Sequence, residues 1–268
     1  MIGQTTIKKT LQTLIKIPQF IIVTGASGSG KSLLIESICK TKLKCNPTYV
    51  ESMDDIKQIF INAVTAVEPQ AYSLHEFDTL NFRAKEAILK LCEDIPNNIY
   101  IFIETNNLIT VKQTLISRAF IFELEPYSKD QLIKYCLTLE NATEADTERL
   151  TNIFETPGLI KRANSLNVQE FLNFCNIVSL NLKKVPLSNA MKISNSLKLK
   201  AASTGYDLDL FFIAVRYYAY INKDTLGIDF AYTIISTCSK ILYNLYISAS
   251  LNKQMLFDNW LLRIRGGT

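Results

Sequence analysis

Two periodicities alternate along the first half of the chain, and only one of them continues into the second half. Short apolar runs rich in β-branched and aromatic residues lie at Phe20–Thr24, Thr48–Glu51, Ala71–Leu74, Ile99–Glu104 and Ala119–Leu124. Runs of that length and composition predict strands. Between them apolar positions recur every three or four residues, which predicts helices near Lys31–Lys42, Asp54–Ala66, Asn81–Glu93 and Val111–Ile116. In the helix Asn81–Glu93, Ala84, Ala87, Ile88, Leu91 and Cys92 form one stripe, with Arg83, Lys85, Glu86 and Lys90 on the other face. Strands and helices in alternation argue for a doubly wound parallel α/β sheet.

After Glu125-Pro126 the strand signals stop. Ser128-Lys129-Asp130-Gln131 has capping-box form and opens a helix with Leu132, Ile133, Cys136 and Leu137 inward. A second helix is expected at Glu144–Phe154, a turn at Thr156-Pro157-Gly158, and a third helix at Val168–Leu182. Lys183-Lys184-Val185-Pro186 reads as a linker. Residues 187–264 read as four or five helices with no catalytic constellation, and Leu208–Ile221 and Phe230–Ile247 are apolar enough to be buried on more than one side. The expected division is therefore 1–126, 127–184 and 185–268.

The first strand and the first helix of the sheet are joined by Gly25-Ala26-Ser27-Gly28-Ser29-Gly30-Lys31-Ser32, a full match to G-x-x-x-x-G-K-[ST] in the strand–turn–helix context the motif requires. Glycines let successive backbone N–H groups turn inward, and the helix N-terminus adds its positive dipole end, so the loop is an anion cradle. Lys31 would reach the β- and γ-phosphates of a nucleotide and Ser32 would bind Mg²⁺, with Leu33 closing the cofactor-binding stretch.

Composition narrows the reading without deciding it. The 268 residues are 48% hydrophobic and 20% charged, ordinary values for a globular protein with a sizeable core. A net charge of +4 is compatible with a nucleic-acid partner but too small to argue for one. Met1-Ile2-Gly3-Gln4-Thr5-Thr6 lacks a charged-then-apolar signal pattern, and the apolar tracts are interrupted by charge, so a cytoplasmic chain without a membrane span is expected. The six cysteines show no C-x-x-C and mostly occupy apolar faces, which favours reduced core thiols.

Ligands on such sheets collect at the carboxyl ends of the strands. The third strand ends in His75-Glu76-Phe77-Asp78, the fourth in Glu104-Thr105-Asn106-Asn107, and Ser117-Arg118 precedes the fifth. Around a triphosphate Glu76 would polarise the attacking water, Asn106 would orient that water or sense the γ-phosphate, and Arg118 would neutralise developing charge. A capping carboxylate, a turn Asn and a surface Arg are the plainer alternatives.

With those residues in view, the chain resembles the AAA+ module of DNA sliding-clamp loaders: the bacterial DNA polymerase III γ and δ′ subunits, the eukaryotic replication factor C small subunits and their phage equivalents. Ile2-Gly3-Gln4 resembles the family's N-terminal segment that lies against the adenine, and Val50-Glu51-Ser52-Met53-Asp54-Asp55-Ile56 the segment after its second strand. His75-Glu76 stands at the Walker B Asp-Glu, Asn106 at sensor 1, and Ser117-Arg118-Ala119 at the Ser-Arg-Cys motif, whose arginine acts on the neighbouring subunit's nucleotide. Gly158 to Ala163 resembles the sensor 2 segment, with Lys161 at the usual arginine and Arg162 adjacent. Lysine keeps the charge there but loses the bidentate fork.

Two departures stand out. Ala119 replaces a cysteine that is not a reacting group. His75 replaces the Walker B Asp, and an imidazole brings no negative charge to a hard, oxygen-preferring cation. Hydrolysis is then either attenuated or carried by Glu76 and Ser32, with His75 bonded to a metal-bound water.

The resemblance implies a five-stranded AAA+ sheet, a small helical lid and an all-helical collar ending in a helix at Leu251–Leu262. It implies ATP and Mg²⁺ as cofactors and an ATPase subunit working in the cytoplasm of a bacterium or a phage-infected host. The implied partners are other clamp-loader subunits in a homo- or hetero-pentamer, a sliding clamp and primer-template DNA, with Lys57, Arg83 and Lys85 as candidates for DNA phosphates. A non-hydrolysing structural subunit of the δ′ type and another AAA+ DNA-dependent ATPase such as a helicase loader are the alternatives.

Overall fold

Phe20, Ile21, Ile22 and Val23 are all buried in β1 (Phe20–Thr24), as a parallel strand covered by helices on both faces requires. In the computed structural model, which describes residues 2–50, 52–75, 77, 80, 82–140, 142–184, 207–247 and 252–266, β1 is joined by β2 (Pro47–Val50), β3 (Gln70–Leu74), β4 (Ile99–Thr105) and β5 (Phe120–Glu123). All pairs are parallel and the order is β2-β3-β4-β1-β5. The strand alternation sorts the core into two layers. Ile21 and Val23 pack with Ile7 of α1 (Thr5–Thr13) and with Leu34, Ile35 and Ile38 of α2 (Lys31–Ile38). Phe20 and Ile22 pack with Ile56 and Ile59 of α3 (Met53–Thr65) and with Ile88 and Leu91 of α4 (Phe82–Glu93).

The strands and helices expected for the sheet region are present, with shifts at their ends. Helix α1 was not foreseen, because only Ile7 in it is buried. The helix expected to reach Lys42 is α-helical to Ile38 and continues as a π turn, Cys39–Leu43, which buries both Cys39 and Leu43. The helix expected at Val111–Ile116 is split into a 3₁₀ turn, Leu108–Thr110, and α5 (Gln113–Ile116), because the Asn107 side chain accepts from the Ile109 N–H at 2.9 Å and caps the earlier turn. Strand β2 starts at Pro47, and Glu51 lies outside the described residues.

The chain forms two compact units, the first running to Gln131 and the second from Leu132. The Ser128–Gln131 capping box forms, with Ser128 N–H donating to Gln131 Oε1 (3.0 Å) and Gln131 N–H to Ser128 Oγ (3.3 Å), at the start of α6 (Lys129–Cys136). The second unit holds α7 (Glu144–Ile153), α8 (Pro157–Asn164) and α9 (Val168–Asn181), then helices Leu208–Ile221, Lys223–Leu226, Ile228–Ile247 and Lys253–Gly266. Helix Leu208–Ile221 packs on both α9 and Ile228–Ile247, and its Phe211 and Phe212 meet Phe257 and the fully buried Trp260 edge to face or tilted. Residues 185–206, which include the end of the expected linker and the first expected helix beyond it, lie outside the described residues, as do 248–251. Among the described residues no helix is long and apolar enough to cross a membrane.

Candidate nucleotide-binding site

The loop after β1 is shaped by its glycines at two points. Gly30 caps α2 with φ 95°, a left-handed conformation that costs an L side chain about 1–2 kcal/mol. At Gly25 a Cβ would lie 3.0 Å from both Leu124 Cβ and Ser29 Oγ, so the backbone approaches the exit of β5 where only hydrogen fits. From that exit the Tyr127 hydroxyl donates to the Ser29 carbonyl at 2.6 Å and so fixes the loop. The neighbouring Glu125 is clasped by Gln4: the Gln4 amide donates to the Glu125 carbonyl (2.8 Å) and accepts from its N–H (2.9 Å). Gln4 is buried with φ 55°, and Ile2 beside it is half-buried. The N-terminal segment is thereby tied to the chain that holds the loop.

Two side chains of α2's first turn reach across to β4. Lys31 Nζ donates to the carbonyls of Gly25 (2.8 Å) and Ala26 (3.0 Å) and to Asn106 Oδ1 (2.9 Å). Ser32 Oγ donates to Glu104 Oε2 at 2.8 Å. Glu104 is 1% exposed at the end of β4, facing α2. Its Oε1 accepts from Ser73 Oγ of β3 (3.0 Å), and His75 Nδ1 lies 3.2 Å from Oε2. An ionised carboxylate only accepts, so the imidazole carries its hydrogen on Nδ1. Burial on its own would raise the Glu104 pKa. The hydrogen bonds from His75, Ser32 and Ser73 and the charge of His75 outweigh it and hold the carboxyl below its ordinary value.

This layout follows from the register. Strand β4 lies between β3 and β1, with Leu74 beside Ile103 and Val23 beside Glu104. One step beyond Leu74, His75 falls beside Glu104 on the α2 face. Sequence reasoning placed Lys31, Ser32, His75 and Asn106 around one site, and the structure brings all four together. It missed Glu104 and Tyr127. A carboxylate closing the run Ile99-Tyr100-Ile101-Phe102-Ile103 was the available signal for the first; nothing in the sequence marked the second.

The other expected residues lie as follows. Ala26 and Leu33 are exposed, while Ser27, Gly28 and Gly30 are half-buried. Arg118 is exposed after α5, its Nη1 donating to the Thr114 carbonyl at 2.8 Å. Glu76 lies outside the described residues. In the second unit Lys161 is exposed, whereas Arg162 is clamped by Asp207 and Asp209, with Nε to Asp207 Oδ2 at 2.8 Å and Nη1 to Asp209 Oδ2 at 2.9 Å. Of the candidates for DNA phosphates, Lys57 pairs with Asp54 at 2.7 Å and Lys85 Nζ lies 5.2 Å from the Phe77 ring centre. All six cysteines are free thiols, and no group of three or more His, Cys, Asp or Glu residues comes together among the described residues.

A five-stranded parallel sheet with the glycine loop on its central β1, Asn106 at the end of the neighbouring strand and a helical second unit defines an α/β fold of the AAA+ type. Comparison with solved structures agrees. Two point mutants of RuvB from Thermotoga maritima each match with a TM-score of 0.53, at 19% and 20% identity, over 82% of this chain and 88% and 87% of theirs. A DNA polymerase III gamma-subunit-related protein from the same organism matches with a TM-score of 0.48 and 15% identity over 97% of this chain and 98% of its own. At these identities the likeness to the two RuvB structures is one of fold alone, and the fold reading rests on them and not on the third match. No family model and no curated protein matches the chain.

Proposed function

We propose that the chain is an ATP-hydrolysing subunit of a sliding-clamp loader. The observation that carries the reading is the meeting of Lys31 with Asn106 and of Ser32 with the end of β4, at the carboxyl edge of an AAA+ sheet. Several copies, or this chain with a second kind of subunit, form a pentameric ring that binds ATP, holds a clamp open and releases it on primer-template DNA. In that assembly residues 1–126 bind nucleotide, 127–184 form the lid and 185–268 the collar, in a bacterial or phage-infected cytoplasm.

The residues present suit ATP with Mg²⁺. Lys31 exchanges its bonds to loop carbonyls for phosphate oxygens, and Ser32 offers its hydroxyl to the ion. An ion held there by Ser32 would supply charge neutralisation for the phosphates. Asn106 senses or orients at the γ-phosphate, Glu76 activates water, and Ile2 with the Gly3-Gln4 segment lies at the base. Of the two basic residues at sensor 2, Lys161 is the candidate contact, since Arg162 is committed to two aspartates.

The test is turnover with clamp and DNA. Arg118→Ala is expected to keep ATP binding and lose about 10³-fold or more of stimulated hydrolysis, as removal of a trans arginine does elsewhere. Normal turnover by that variant in the assembled complex overturns the trans assignment. Nucleotide-independent capture of the clamp, or none at all, favours a helicase-loader type of ATPase. The reading as a non-hydrolysing structural subunit rests on His75 at the Walker B Asp, and a large gain in turnover by His75→Asp supports it.

A further inference from the structure

From the bonds around β4 we infer that Glu104 supplies the carboxylate of the Mg²⁺ shell at Ser32, in place of the acid that His75 leaves missing from β3. The inference rests on the nucleotide-binding reading above and goes beyond it by assigning the ion a ligand set that the motif does not contain.

P-loop sites hold Mg²⁺ between the loop's Ser or Thr hydroxyl and an acidic side chain. Here the residue one hydrogen bond from Ser32 Oγ is Glu104, at 2.8 Å. It enters from the strand directly beside β1, so its carboxyl reaches the first turn of α2 without crossing another strand. A buried carboxylate without partners is costly, and this one is held by hydrogen bonds to Ser73 and Ser32 with His75 at 3.2 Å. His75 is 50% exposed while Glu104 is 1% exposed, so the imidazole covers the carboxylate from the solvent side and orients it. His75 is thus a positioning residue and Glu104 the ion-facing one. Mg²⁺ bound with a nucleotide usually takes one or two carboxylates and fills the rest of its shell with phosphate and water oxygens, so a single carboxylate beside Ser32 is enough for the protein's share.

The test measures the ion rather than turnover. Mn²⁺ binding to the protein–ATP complex is followed by electron paramagnetic resonance, and ATP binding in EDTA by calorimetry. Glu104→Gln, which keeps the shape and loses the charge, is expected to weaken Mn²⁺ binding about 10-fold or more and to leave metal-free ATP binding within about twofold. His75→Asp returns an acid to β3, so in that background Glu104→Gln is expected to cost less than about threefold. Equal losses in both backgrounds, or Mn²⁺ binding by Glu104→Gln at the wild-type level, overturn the assignment. Should Glu104→Gln fail to fold by circular dichroism, Glu104→Asp, which keeps the charge and shortens the reach, is measured in its place, and wild-type Mn²⁺ affinity there overturns the assignment equally. Absence of ATP binding by the wild-type protein in EDTA and in Mn²⁺ alike overturns the nucleotide-binding reading itself, a result distinct from selective loss of the ion.

Discussion

A guanidinium held by two carboxylates is a structural commitment before it is a functional one. The Arg162 side chain is 39% exposed and that of Asp209 13%, so the pair lies between the surface and buried regimes. Losing one partner of a buried pair costs about 3–5 kcal/mol and of an exposed one under about 1 kcal/mol. Arg162→Ala is therefore expected to destabilise the protein by about 1–2 kcal/mol in chemical denaturation, and the exposed Lys161→Ala by less than about 0.5 kcal/mol. Equal effects would remove the distinction between them. The sequence could not reveal this clamp, because Asp207 and Asp209 lie 45 and 47 residues away. By contrast Lys31, Ser32 and Asn106 were legible, since a spacing rule fixes the first two and the strand-end rule the third. Glu104 was hidden by its strand: a run apolar on both faces marks where the strand lies, and says nothing of what a polar residue at its end bonds to.

At the scale of elements, the strands and the long helices were readable because periods of two and of three to four residues persist over several turns. What shifted were places where a side chain or a widened turn competes with the regular ladder, as at Asn107 and in the π turn Cys39–Leu43. That turn makes its own prediction. Burial, with Cys45 and Glu36 nearby, pushes the Cys39 thiol from 9.0 to about 12, and burial does the same to Cys92 and Cys238. An acid whose folded pKa is raised contributes its full stabilisation below the unfolded value and loses it as pH climbs through the folded one. Stability is thus expected to fall as pH rises from 9.0 toward about 12, more steeply than in Cys39→Ala. Peptide mapping after alkylation at neutral pH should find these three thiols unmodified in the native protein and modified after denaturation. Alkylation of native Cys39 would contradict the buried turn.

For the whole molecule, the order β2-β3-β4-β1-β5 matters more than any single helix. By placing β4 between β3 and β1, it brings Lys31 and Ser32 to one edge with Glu104 and Asn106, which follow more than seventy residues later in the chain. The second unit, with its aromatic core around Trp260, is a compact body in its own right. Everything proposed for the ring depends on the loop holding a triphosphate. The direct measurement is calorimetric titration of ATP with Mg²⁺ into the purified chain and into Lys31→Ala. The account predicts saturable binding by the wild-type chain at one site per chain and at least about a 100-fold loss in the variant, some 2.7 kcal/mol. Binding that survives Lys31→Ala unchanged, or no binding by the wild-type chain, would contradict it.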